Sequence, residues 1–112
     1  MQSVESHAMP PPQTPLSDRQ RRHLRALAHE LHPLVRLGSA GLTEAVARET
    51  DRALGDHELI KVKSPGGDRD ARDAAFAELA RRTGSVLVQR IGNVAVLYRA
   101  RPELPRILIP DD

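Results

Sequence analysis

No other stretch narrows the fold of this chain as much as Leu34-Val35-Arg36-Leu37-Gly38-Ser39-Ala40-Gly41-Leu42-Thr43. Its first four residues are a short β-prone run, and Gly38 to Gly41 are small residues forming a tight loop. Beyond them Leu42, Val46, Thr50 and Leu54 fall on one face of a helix, with Thr43 placed to cap it and Glu44 in its first turn. The order is strand, glycine loop, helix. Gly55-Asp56 then stops the helix, and Leu59-Ile60-Lys61-Val62-Lys63 reads as the next strand. Strands separated by a helix imply a right-handed parallel crossover. Ile60 and Val62 point to one side of that strand and the two lysines to the other, so the lysines either line an exposed sheet face or flank a covered one.

The rest of the chain continues the alternation. Ser17-Asp18-Arg19-Gln20 has the pattern of a capping box, and Leu24, Leu27, Ala28 and Leu31 recur at helical spacing until Pro33, which predicts a helix over 17–31. A third helix runs from about Asp70, with Ala71, Ala74, Ala75 and Leu79 as its buried stripe and Gly84 as a left-handed stop. Val86 to Ile91 and Val94 to Arg99 are two strands joined by Gly92-Asn93, a two-residue turn suited to an antiparallel hairpin. The fold class is α/β: one domain of order α-β-α-β-α-β-β, a mixed four-stranded sheet covered by helices. Residues 1–15 are polar and Pro-rich and read as a disordered tail, 16–101 as the folded domain, and 102–112 as a C-terminal extension.

Composition removes several classes of function. The 112 residues make one domain, and the chain contains no cysteine, which excludes disulfides, thiolate zinc sites and a cysteine nucleophile. Phe76 and Tyr98 are the only aromatic residues, so a platform of stacked aromatics for bases is nearly excluded. No stretch has the length and apolarity of a signal peptide or membrane span, and a cytoplasmic location without membrane attachment is the expectation. Between Leu16 and Arg101 sixteen basic residues stand against eleven acidic ones, whereas the two ends together are acidic. Such an asymmetry points to a body that binds a polyanion.

The candidate chemistry follows from that charge. Glycines between a strand and a helix let the backbone approach a phosphodiester, and the helix N-terminus offers N–H donors and a positive dipole end. Arg22, Arg25, His29 and His32 form a basic face on the first helix, opposite the leucines. Arg36 before the loop, Lys61 and Lys63 on their strand, and Arg99 at the end of the hairpin are further candidates for phosphate contacts. His29-Glu30-Leu31-His32 does not match a zinc-protease helix, whose histidines are four residues apart, so no metal is expected. Pro65-Gly66-Gly67-Asp68 lacks the Lys-Ser/Thr of a phosphate loop, and Ser39 has no marked His or carboxylate partner. The chain reads as a non-enzyme without cofactor or small-molecule substrate, and a monomer is the simplest expectation.

Three segments, taken in order, resemble a known family. Leu34 to Thr43, then His57-Glu58-Leu59-Ile60-Lys61-Val62-Lys63, then Ile91-Gly92-Asn93 running into Val96-Leu97-Tyr98-Arg99, are similar to the successive signatures of the CRM domain (chloroplast RNA splicing and ribosome maturation) in its bacterial stand-alone, YhbY-type form. The resemblance covers about Leu16 to Arg101. It implies a fold like the C-terminal domain of bacterial translation initiation factor three. It also implies RNA binding through Gly38, Ser39, Ala40, Gly41, Leu42 and Thr43 with a basic surface, and association with ribosomal RNA in precursors of the large ribosomal subunit. Ser39 departs from the pattern, because the family's loop usually carries a basic residue there; Ser can donate to a phosphate but brings no charge, and the backbone amides remain. The alternative reading is a protein-interaction adaptor that docks by its apolar tail, Ile107-Leu108-Ile109.

Overall fold

The computed structural model describes residues 16–102 together with Ile107, Ile109 and Pro110. The stretch 1–15, expected as a disordered tail, lies outside the described residues, as does Leu108 of the apolar tail. The elements are α1 (Asp18–Ala28), β1 (Pro33–Arg36), α2 (Glu44–His57), β2 (Leu59–Lys63), α3 (Arg69–Thr83), β3 (Val86–Ile91) and β4 (Val94–Tyr98). They build the mixed four-stranded sheet that the alternation of periods predicts, in the order β1-β2-β4-β3. β1 and β2 are parallel, and β4 runs antiparallel to both β2 and β3. The hairpin thus inserts its second strand beside β2, and the connection through α3 passes over one strand position.

Local signals set most element ends. Ser17 accepts from the Gln20 amide at 3.1 Å while the Gln20 side chain accepts from the Ser17 amide at 3.0 Å, the reciprocal bonds of a capping box. Thr43 and Asp68 cap α2 and α3 by accepting from Val46 and Ala71. Gly84 closes α3 at φ 63°, with the Ser85 amide donating to Ala80 and the Gly84 amide to Arg81, the bond pair of a Schellman close. Gly92, at φ 58°, turns the hairpin.

Three expectations need correction. Helix α1 ends at Ala28 rather than Leu31, because the His29 amide is shared between the Arg25 and Ala26 carbonyls and the last turn tightens before the chain enters β1. Leu31 and His32 therefore lie beyond the helix, and Leu27, in its last turn, is exposed like Leu31. Helix α2 runs through Gly55-Asp56 to His57, and the turn falls on Glu58, a non-glycine residue at φ 65°. Such a conformation costs about 1–2 kcal/mol. What offsets it is the buried Glu58 carboxylate, which accepts from the Arg101 amide at 3.1 Å and the Ile107 amide at 2.9 Å, while the Glu58 carbonyl accepts from the Arg99 amide. In α3 the buried residues are Phe76, Leu79, Ala80 and Thr83, whereas Ala71 and Ala74 face solvent. Alanine suits either environment, so it gave no direction to the stripe.

The sheet is packed on both faces, unequally. On one face α2 and α3 close over Val35, Ile60, Val62, Ala95 and Leu97, with Leu54, Phe76 and Leu79 fully buried against them. On the other, α1 places Leu24 and Ala28 on Leu59, Val88, Val96 and Tyr98, and Ile107 and Ile109 pack beside them. The described isoleucines of the apolar tail are thus spent on the protein's own core. Among the described residues no helix is long and apolar enough to cross a membrane.

Candidate nucleic-acid interface

The sheet topology gathers three glycine-bearing loops at one end of the molecule. β1 and β2 are parallel and pair Arg36 with Lys63, while Lys63 pairs with Val94 and Ile91 with Val94, so the loops after β1, after β2 and between β3 and β4 emerge side by side. Hydrogen bonds tie them together: the Leu37 amide donates to the Lys63 carbonyl at 2.8 Å, the Ser64 amide to the Asn93 carbonyl at 2.8 Å, and Asn93 Nδ2 to the Ser64 carbonyl at 2.7 Å. Five of the seven glycines, Gly38, Gly41, Gly66, Gly67 and Gly92, lie in these loops.

Within the first loop the Gly41 amide donates to the Gly38 carbonyl at 2.9 Å, closing a turn with Ser39 and Ala40 as its exposed tip. Gly41 has φ 75° and needs to be glycine for conformational reasons. Gly38 does not: its φ is not positive, and a Cβ there would meet nothing within 4 Å. The fold gives no steric reason for glycine at 38. Leu42 is half-buried against the α2/α3 core, and Thr43 is occupied as the helix cap. The α2 N-terminus thus opens directly behind the loop.

Cross-strand pairing puts the basic candidates on one surface. Residues directly opposite each other in a sheet share a face; Arg36 pairs with Lys63, and Lys61 pairs with Pro33 on one side and Val96 on the other. Val96 belongs to the α1 side, so Arg36, Lys61 and Lys63 all stand on the α1 face. Helix α1 covers that face around Leu59 and Tyr98, and the loop end, where Arg36 is exposed, stays open. Arg25 and His29, exposed on α1, border the open part across a cavity of about 250 Å³ shared with Lys61, Gln89, Ile91, Val94 and Val96. Arg22 is exposed on the same helix, outside the cavity. Among the described residues, none of Arg22, Arg25, Arg36, Lys61 or Lys63 is held in an ion pair.

Arginines on the α2/α3 side are engaged differently. Arg81 and Arg82 both bond Glu78, and the hydrogen bond from Arg81 holds the Glu78 carboxyl down at about 2. Arg90 pairs with Asp73 at 2.6 Å. Arg99, expected from sequence as a phosphate contact, donates to Asp51 Oδ1 at 2.7 Å and to the Thr83 carbonyl at 2.8 Å. It sits just past β4, at the end of the sheet opposite the glycine loops, so the structure does not bring it to the others. Its guanidinium ties α2 to the end of α3. A shallow groove of about 850 Å³ between these helices carries Arg48 and Arg52, which sequence reasoning passed over, but Glu44 and Asp51 share it.

Sequence reasoning also missed Gln89, Ile91 and the Gly66-Gly67 loop as neighbours of the basic strip. Their proximity depends on β4 lying between β2 and β3, which no local pattern announces. No group of three or more His, Asp or Glu among the described residues is arranged to hold a metal ion.

Residues 16–99 match the family model of the CRS1 / YhbY (CRM) domain. A Haemophilus influenzae protein named as an RNA-binding protein is 46% identical over 97 residues, covering 83% of this chain and 98% of its own. YqeI of Bacillus subtilis, named a probable RNA-binding protein, is 38% identical over 96 residues, covering 85% of this chain and 99% of its own. The solution structure of SAV1595 from Staphylococcus aureus, described as a proposed RNA-binding protein, aligns with a TM-score of 0.75 at 35% identity, over 86% of this chain and 100% of that one.

Proposed function

The chain belongs to the CRS1 / YhbY (CRM) domain family, and from that premise we propose that it is a non-enzymatic RNA-binding protein whose target is ribosomal RNA in precursors of the large ribosomal subunit. The observation that carries RNA binding is the strip of Arg36, Lys61 and Lys63, cations without ion-pair partners among the described residues, on the open end of the α1 face beside the glycine loops. Lys and Arg on this strip neutralise phosphates, and the Gly38–Gly41 turn lets the backbone approach the same strand. Phosphate contacts fix position and carry no sequence information, so RNA shape and any unstacked bases near the loop supply selectivity. The choice of ribosomal RNA in maturing subunits follows the family resemblance, while a monomer and a cytoplasmic location are the simplest reading of the sequence.

The test is sedimentation of the tagged protein from a lysate with and without ribonuclease, with sequencing of the RNA in the fractions it occupies. Co-migration with large-subunit precursors that ribonuclease abolishes is the expected result. A complex that survives ribonuclease contradicts it and favours association with protein.

A further inference from the structure

The cavity between the end of α1 and the open sheet face does not look like a site for phosphate. Its sheet side is Ile91, Val94 and Val96 with Gln89 and Lys61, and its helix side is Arg25, Ala28 and His29. Phosphate seeks cations and N–H donors, which Arg25, His29 and Lys61 supply at the rim, but the aliphatic floor offers it nothing. At about 250 Å³ the cavity is smaller than the ~300–1,000 Å³ typical of pockets for drug-sized ligands, yet larger than the ~150 Å³ that encloses one benzene ring. One flat heterocycle is the ligand of matching size.

Its chemistry narrows the choice further. Ile91 is 65% exposed and lines the cavity beside Val94 and Val96, so its side chain is available for an apolar ring to rest on. The Gln89 side-chain amide makes no hydrogen bond among the described residues, and it offers a donor and an acceptor together, the combination that pairs with a base edge. Phe76 and Tyr98 are both buried, so neither is available to stack. Arg25 lines the cavity from the helix and belongs to no ion pair among the described residues, and guanidinium planes stack on bases as aromatic rings do. Lys61 lines the same cavity and belongs to the cationic strip, so a strand lying on that strip passes the cavity mouth.

We propose that this cavity is a nucleobase site: one unstacked base of the bound RNA enters between Arg25 and the floor of Ile91, Val94 and Val96, with its edge read by Gln89. The proposal rests on the RNA-binding reading and deepens it, because it gives selectivity a place. The occupant is a base of the same strand whose phosphates lie on Arg36 and Lys63. The complementarity is an aliphatic floor for the uncharged ring and a cationic rim for its backbone.

The experiment measures binding of the full chain to short oligomers of A, C, G and U, and to the preferred one with a single abasic position stepped along it, each across a salt series. The wild type is expected to rank the four oligomers, with about tenfold between best and worst from one well-placed pair of base hydrogen bonds. Gln89→Ala flattens the ranking and leaves the salt slope as it was. Ile91→Ser weakens every oligomer and removes the penalty of the abasic position, while Lys63→Ala lowers the slope and preserves the ranking. Melting of each variant shows that it is folded, and Gln89→Glu supplies a second variant at the same site. If the wild type binds RNA with a steep salt slope but Gln89 and Ile91 variants rank and bind the oligomers as it does, the base site is wrong and the RNA-binding reading stands. If no oligomer binds, both fail.

Discussion

The two faces of the sheet carry the same residue types and use them in opposite ways. On the α2/α3 face a larger core lies over the sheet, and four nearby arginines are held at home: Arg81 and Arg82 on Glu78, Arg90 on Asp73 and Arg99 on Asp51. Arg48 and Arg52 in the groove have no ion pair among the described residues but share it with Glu44 and Asp51. On the α1 face a shorter helix covers only part of the sheet, and Arg25, Arg36, Lys61 and Lys63 have no ion-pair partner among the described residues. Net charge alone does not distinguish the two. A cation already paired with a carboxylate must break that contact before it meets a phosphate, whereas an unpaired one on an open face keeps its field available. On the proposed reading, stability is concentrated on one side of the sheet and RNA binding on the other.

Substitutions ordered by expected effect can break this division. Phe76→Ala empties the centre of the α2/α3 core and costs about 3–5 kcal/mol in chemical denaturation; a loss under 1 kcal/mol means that side is not the stabilising one. Replacing Arg36, Lys61 and Lys63 together by Ala leaves the melting temperature nearly unchanged, lowers RNA affinity on the order of a hundredfold at low salt, and flattens the log–log salt slope by about 2 for a single strand. Gly38→Ala sharpens the role of the loop. The added methyl meets nothing in the protein, so stability holds while RNA affinity falls wherever phosphate lies against that backbone; unchanged affinity removes Gly38 from the interface. Ser39→Lys supplies the cation that the family resemblance implies at this position, and affinity rises with a slope steeper by about 0.7.

The smallest effect belongs to the paired side. The Glu78 carboxyl is held at about 2, below its ordinary 4.5, first by the hydrogen bond from Arg81. Its folded value is depressed, so its contribution to stability is present above pH 4.5 and is lost as pH falls towards 2. Because the pair lies at the surface, where solvent screens it, acid titration of Glu78→Gln should differ little from wild type. The same variant frees Arg81 on the far side of the sheet and leaves Arg82 with Glu44 at 3.6 Å. A gain in RNA affinity as large as that of Ser39→Lys would contradict the division between the faces.

What was legible in the sequence is what short-range physics decides. The Ser17–Gln20 capping box, the Thr43 cap, the Gly84 close, the Gly92-Asn93 turn and the alternation in β2 all appear where their residues require. The family resemblance was legible for the same reason, since its motifs are local. The end of α2 was not, because a left-handed Glu58 is tolerated only through bonds to Arg101 and Ile107, more than forty residues away. The stripe of α3 was obscured by alanines that fit inside or outside. For the candidate site, the Gly38–Gly41 loop and Lys61 and Lys63 could be named from sequence, and their shared face with Arg36 came from register. Arg99 was separated from them by an Asp51 partner in a distant helix. Gln89 carried no signal, and Ile91 stood out only as the start of the third family segment, because only the strand order β2-β4-β3 brings them beside Lys61.

The most direct measurement is an NMR titration of the isotope-labelled full chain with a short single-stranded RNA, following backbone amides together with the guanidinium and ammonium signals. The division between the faces predicts perturbations at Arg36 to Gly41, Lys61, Lys63, Gly92 and Arg25, with Arg81, Arg82 and Arg99 unmoved. Perturbations centred instead on Arg48, Arg52 and Arg82 in the groove between α2 and α3 would contradict it.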